Sequence, residues 1–112
     1  MLTLEYELLE DLTEELSTTD PRFKQPLIVP KIKQAIREVR RARNYPKHYT
    51  ESAIVEDLEN YYSNIRSIAL FDYNMIGAEG QSSIGENGTS RAFIDRNSLF
   101  SGIIPLSRVG RR

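Results

Sequence analysis

Leucines at positions 4, 8, 12 and 16 recur every four residues through a stretch that is otherwise mostly polar or acidic. That spacing lays one apolar stripe along one side of an α-helix, so the pattern predicts a helix over residues 3–17. Thr3 can cap it, and the acids of its early turns suit the positive end of the helix dipole. Residues 18–21 are polar and end in Asp20-Pro21, a helix breaker. A connector over 22–27 holds a second proline, Pro26. The next helix is predicted to start near Pro30, because a first-turn proline lacks only an N–H that has no partner there. Ile32, Ala35, Ile36, Val39 and Ala42 form its apolar stripe, and Asn44, Pro46 and Lys47 end it. Thr50 can cap a third helix, in which Ile54, Leu58, Tyr61, Ile65, Ile68 and Tyr73 recur without a breaker as far as Gly77 or Gly80. At 1.5 Å per residue this element would be on the order of 40 Å long. Its apolar face widens over 68–71, and such a face needs several neighbours, for which a second subunit is one source.

The pattern changes after Glu79. Gly80, Gly85 and Gly88 lie among serines and threonines, and Glu86-Asn87-Gly88 carries the Asn-Gly signal of a hairpin turn. Residues 98–104 give a short apolar patch, Leu99, Phe100, Ile103 and Ile104, stopped by Pro105, and 106–112 reads as an extended basic arm. The expected fold is mainly α. It is a small bundle of three to four helices over 1–80, then a glycine-rich β-hairpin or loop and a C-terminal docking arm over 81–112. The apolar patch has two possible seats, its own helices or another chain, where an extended segment can add to a sheet edge.

A length of 112 residues suits one domain. Hydrophobic residues at 39% and charged residues at 28% fall in the globular range, which argues against wholesale disorder. No cysteine is present, so disulfides, thiolate metal sites and a thiol nucleophile are excluded. No apolar run reaches the ~20 residues that span a bilayer. The acidic start lacks the marks of a signal peptide, and the expectation is a soluble protein made in the cytoplasm, with no membrane partner. The net charge of −1 hides a segregation. Residues 1–20 carry seven acids and no base, while 21–49 carry nine bases against Glu38 alone. Residues 50–80 are acidic again and the remainder is basic. Opposite segments can pair within one fold or across a subunit boundary.

Chemistry-bearing constellations are scarce. The single histidine, His48, has no second His or Cys with which to build a metal site, and the carboxylates are spread along helix faces like solvated residues. Gly77-Ala78-Glu79-Gly80 follows a helix and lacks the strand–turn–helix setting of a dinucleotide fingerprint. No catalytic residue, metal site, cofactor or small-molecule substrate is expected. The basic second helix offers Arg37, Arg40, Arg41 and Arg43 either to nucleic-acid phosphates or to a neighbour's acidic helix. Tyr61, Tyr62 and Tyr73 stand at helical spacing and read as core or interface residues.

The run Tyr73-Asn74-Met75-Ile76-Gly77-Ala78-Glu79-Gly80-Gln81-Ser82-Ser83, followed by Glu86-Asn87-Gly88-Thr89-Ser90-Arg91 and Asp95-Arg96, resembles the C-terminal half of head–tail connector (adaptor) proteins of tailed bacteriophages, mainly those of Gram-positive hosts. The resemblance covers about residues 60–105. It centres on Gly77, Glu79, Gly80, Gln81, Asn87, Gly88 and Arg91. It implies a structural, non-enzymatic virion protein of the neck between capsid and tail. About twelve helical subunits would form a ring under the portal protein, extend the channel for packaged DNA and receive a stopper or tail-completion protein. It also implies that the C-terminal arm grips the portal, which makes Leu99, Phe100, Ile103, Ile104, Pro105 and Arg108 candidate partner contacts. A helical DNA-binding regulator acting through the second helix, or another head-completion protein, is the competing expectation.

Overall fold

Four helices, joined by short connections, follow one another over residues 3–78. The computed structural model describes residues 3–78 and 96–106. Helix α1 spans Thr3–Thr19, α2 Gln25–Arg43, α3 Glu51–Leu58 and α4 Tyr62–Ala78, with a single 3₁₀ turn, Glu59–Tyr61, between the last two. No strand occurs among the described residues. The mainly helical expectation is met; the hairpin expected around 86–88 lies outside the described residues.

The leucine stripe of α1 turns inward as its spacing demands, with Leu4, Leu8 and Leu12 fully enclosed and Leu16 nearly so. It meets Ile28, Ile32, Ala35, Ile36 and Val39 of α2, and Ile65, Ile68, Ala69 and Tyr73 of α4 complete the core. Helix α2 lies most extensively on α4, with α1 packed against both. Ile54 and Leu58 of α3 close one end.

Helix α2 begins five residues before the predicted start, and Pro26, not Pro30, occupies its first turn. Pro30 lies inside the helix, where its ring nitrogen cannot donate to the Pro26 carbonyl. An interior proline costs about 3 kcal/mol. Extending the helix through it buries Ile28 completely, a gain of about 1.5–3 kcal/mol that offsets most of the cost. Pro30 itself is exposed, so the orphaned carbonyl can face water. The other end falls where expected: Asn44 adopts the left-handed conformation (φ 51°), and its N–H reaches the Arg40 and Arg41 carbonyls.

The long third helix is also corrected. Thr50 caps it as predicted, its hydroxyl accepting from the Ala53 N–H at 3.1 Å. After Leu58, however, the chain tightens into the 3₁₀ turn before α4 resumes. Leu58, Glu59 and Tyr62 all keep right-handed backbone angles. Apolar spacing hides such a change, since i+3 neighbours share a face in both helix types.

Candidate interaction surface

The C-terminal segment 96–106 lies back against the bundle, and polar side chains of α2 and α4 hold it there. It opens with one helical turn at 96–98. The Arg96 guanidinium is then fixed by two helices at once. Nε and Nη2 donate to the Asp72 carboxylate at 2.9 and 2.8 Å, and Nη2 also reaches Glu38 at 2.9 Å. The same guanidinium stands 5.7 Å from the Phe100 ring. One cation between two carboxylates relieves the repulsion between them.

Further along, the Asn64 amide of α4 donates to the backbone carbonyls of Leu99 and Ser101 at 2.8 and 3.2 Å. Gly102 (φ +85°) then turns the chain, in a conformation other residues adopt only with strain. The third attachment is Arg43, the one charged residue enclosed among the described residues, at 9% exposure. Its Nε and Nη2 donate to Asp57 of α3 at 2.8 and 3.1 Å, and Nη1 donates to the Ile104 carbonyl at 2.6 Å. Tyr45 donates to the same Asp57 carboxylate at 2.6 Å, and the Tyr61 ring lies 5.1 Å from the guanidinium carbon. The Leu106 N–H donates to the Arg43 carbonyl at 2.6 Å, so both ends of this residue bind the segment.

The electrostatics follow from these contacts. Burial pushes the Asp57 carboxyl up, but hydrogen bonds from Tyr45 and Arg43 outweigh it and hold the group below its ordinary 3.8. Burial, then the Asp57 carboxylate, raises the Tyr45 phenol. Arg40 makes a bidentate pair with Glu51 at 2.8 and 3.0 Å, which lowers the Glu51 carboxyl. At the other end of the bundle Tyr73 donates to Asp20 at 2.6 Å. Burial and this carboxylate raise the Tyr73 phenol from 10.0 to about 12, and the same bond lowers Asp20. Arg66 pairs with Glu15 and Tyr62 donates to Asp11, tying α4 to α1.

The residues singled out by sequence therefore divide. Of the candidate partner contacts, Leu99, Phe100 and Ile103 are half-buried against the chain's own core. Ile104, at 65% exposure, and Pro105 face outward, as does Leu106. Arg108 lies outside the described residues, as do Glu79, Gly80, Gln81, Asn87, Gly88 and Arg91; Gly77 falls in the last turn of α4. Of the four arginines on α2, Arg40 and Arg43 are taken by carboxylates of α3, while Arg37 and Arg41 are exposed and have no ion pair among the described residues. His48 is exposed and stacks edge-on with Tyr49. Among the described residues no group of three or more acidic, histidine or cysteine side chains could hold a metal ion, and no helix is long and apolar enough to cross a membrane.

No family model matches the chain, and no curated protein or solved structure is significantly similar to it.

Sequence reasoning missed Asn64, Asp57, Asp72 and Arg96 as the residues that seat the segment. A signal existed for Arg43. It lies four residues beyond Val39, on the stripe of Ile32, Ile36 and Val39, and a charge in that register is buried and needs a partner. Nothing comparable marks Asn64, which performs its role through backbone carbonyls that any sequence supplies.

Proposed function

We propose that this chain is a non-enzymatic assembly subunit, a head–tail connector of a tailed bacteriophage. It would act in the virion neck, in a ring below the portal that carries the DNA channel toward a stopper or tail-completion protein. The observation that carries this reading is the run Tyr73–Ser83 with Glu86-Asn87-Gly88 and Asp95-Arg96, the stretch that resembles those proteins. A mainly helical bundle of this size is the kind of subunit the resemblance implies. The glycine-rich hairpin near 86–88 and an extended arm toward Arg112 belong to the same proposal. No chemical step is involved: copies join by burying apolar surface, at about 25 cal/mol per Å², and by matching charge.

The docking edge in this reading is Ile104-Pro105-Leu106, which is apolar and faces solvent. The test is co-sedimentation of the purified chain with portal rings of the virus that encodes it. The parent is expected to sediment with the rings, and Ile104→Glu, which leaves Leu99, Phe100 and Ile103 in their seats, is expected to stay in the supernatant. Failure of the parent to bind any portal ring sinks the connector reading. A DNA-binding regulator is favoured instead if the parent binds duplex DNA at physiological salt with a steep salt slope.

A further inference from the structure

Two exposed rows of opposite charge lie on different helices of the same chain. On α1, Tyr6, Glu10 and Glu14 stand at successive i+4 steps and line one shallow groove. Tyr6 is 60% exposed, an aromatic ring of α1 that the described residues of its own chain leave uncovered. On α2, Arg37 and Arg41 stand at the same i+4 step. They line a groove of about 490 Å³ that continues past the helix end over Tyr45, Pro46, Lys47 and Tyr49. Neither Glu10 nor Glu14 has an ion pair among the described residues, and neither have Arg37, Arg41 or Lys47. Like charges at i+4 destabilise a helix slightly, so each row carries a local cost that no described partner on its own chain relieves.

We infer that the two rows meet between copies: α1 of one subunit lies antiparallel along α2 of the next, with Glu10 opposite Arg41, Glu14 opposite Arg37, and Tyr6 against Pro46 and Tyr49. The registers agree, because four residues rise about 6 Å on each helix. The occupant is a second copy because the complementary row is carried by this chain itself, the carboxylates of Glu10 and Glu14 matching the guanidiniums of Arg37 and Arg41 in number and spacing. Tyr6 supplies the rigid, amphipathic anchor that interface centres favour. The two surfaces differ, so the contact is heterologous; it repeats from copy to copy and closes into a ring or extends as a filament. The inference deepens the assembly reading by naming the contact between neighbours, and it is tested without a portal.

The experiment is sedimentation velocity of the full chain at low and high salt. The parent is expected to self-associate at low salt and to weaken as salt rises. Arg37→Glu/Arg41→Glu alone, and Glu10→Lys/Glu14→Lys alone, are each expected to lose about tenfold or more in association. An equimolar mixture of the two variants is expected to regain it, since both junctions are complementary again, and a misfolded variant gives no such rescue. The inference is overturned by a parent that stays monomeric at low salt, by variants that associate like the parent, or by a mixture that fails to recover. It is equally overturned if the arginine variant loses duplex DNA binding while self-association is untouched, which makes the row a nucleic-acid surface. Portal binding by the parent with unaltered variant self-association leaves the connector reading standing and removes this contact. Charge-swap rescue without portal binding does the reverse.

Discussion

Replacing Arg43 with methionine keeps most of the aliphatic bulk and removes the cation that joins α2, α3 and the C-terminal segment. Asp57, 21% exposed at its side chain, then keeps the Tyr45 hydroxyl and the Asn60 side chain of the partners that held it. Stripping one member from a fully enclosed ion pair costs about 3–5 kcal/mol. Partial exposure of Asp57 and its remaining hydrogen bonds place the loss at the lower end or below, about 2–3 kcal/mol. The bond to the Ile104 carbonyl adds about 1 kcal/mol. The expected total, about 3–4 kcal/mol, is a large share of the roughly 5–15 kcal/mol that holds a domain together. At about 4–8 °C per kcal/mol for a domain near this size, the melting temperature falls by more than about 12 °C.

Urea unfolding followed by circular dichroism measures this. The double variant Arg43→Met/Asp57→Leu sharpens it, because removing both charges leaves no unpaired carboxylate and recovers part of the loss, the bonds of Ile104 and Tyr45 staying broken. Hydrogen exchange supplies a local readout. Methionine retains the backbone carbonyl that Leu106 N–H uses, so faster exchange at Ile103 and Leu106 in excess of the global change isolates the side-chain clasp. A loss below about 0.5 kcal/mol, the range of ordinary surface substitutions, refutes the reasoning.

Other perturbations test the remaining contacts. Arg96→Met is expected to leave Glu38 and Asp72 facing each other and to lower stability by about 2 kcal/mol, recovered in part by adding Asp72→Asn, as chemical denaturation will show. Thr50→Ala removes the cap of α3 and is expected to cost about 1 kcal/mol in the same assay, with Thr50→Ser close to the parent. Tyr73 keeps its proton to about pH 12 when folded and to about 10 when unfolded, so its contribution is complete below pH 10 and lost between pH 10 and 12; Tyr73→Phe is expected to flatten that part of the alkaline stability profile. Asp57 runs the opposite way: its folded value is depressed, so its contribution is present above 3.8 and lost as pH falls through the lowered value, and Asp57→Asn is expected to remove that acid limb.

The helices were legible because apolar spacing is a local signal, and the Leu4-to-Leu16 stripe, the α2 stripe from Ile32 and the Thr50 cap all stand in the structure as read. The errors have a common origin. Pro30 reads as a start signal when local chemistry alone is weighed, yet burial of Ile28, a tertiary gain, carries the helix through it. The 3₁₀ turn at Glu59–Tyr61 is invisible for the related reason that its spacing mimics the α pattern. Charge segregation was legible too, but its resolution was not. Arg40 and Arg43 differ from Arg37 and Arg41 only in which way they face, and that is fixed by where α3 lands beside α2. The seat of the C-terminal segment depends on pairings such as Arg96 with Asp72 and Glu38, or Asn64 with Leu99, separated by 24 to 58 residues. No local pattern encodes contacts at that separation.

That seat changes how partner docking through the C-terminal segment has to work. Leu99, Phe100 and Ile103 can give their whole side chains to another protein only after leaving the bundle, which breaks the Arg96, Asn64 and Arg43 attachments together and uncovers core. A partner must outweigh all of that before any net affinity appears. Ile104 and Leu106 need no release: their backbone groups are anchored to Arg43 while their side chains stay exposed, at 65% and 38%. A docking edge held rigid in this way binds with less ordering cost than a free arm. Substitutions therefore separate the two roles. Phe100→Ala reports first on stability of the subunit, because it loosens a segment packed on its own core. Ile104→Glu alters the outward edge while leaving the seat filled, so a loss of portal binding at unchanged stability in this variant, and not in one that merely weakens the seat, assigns the edge to the partner.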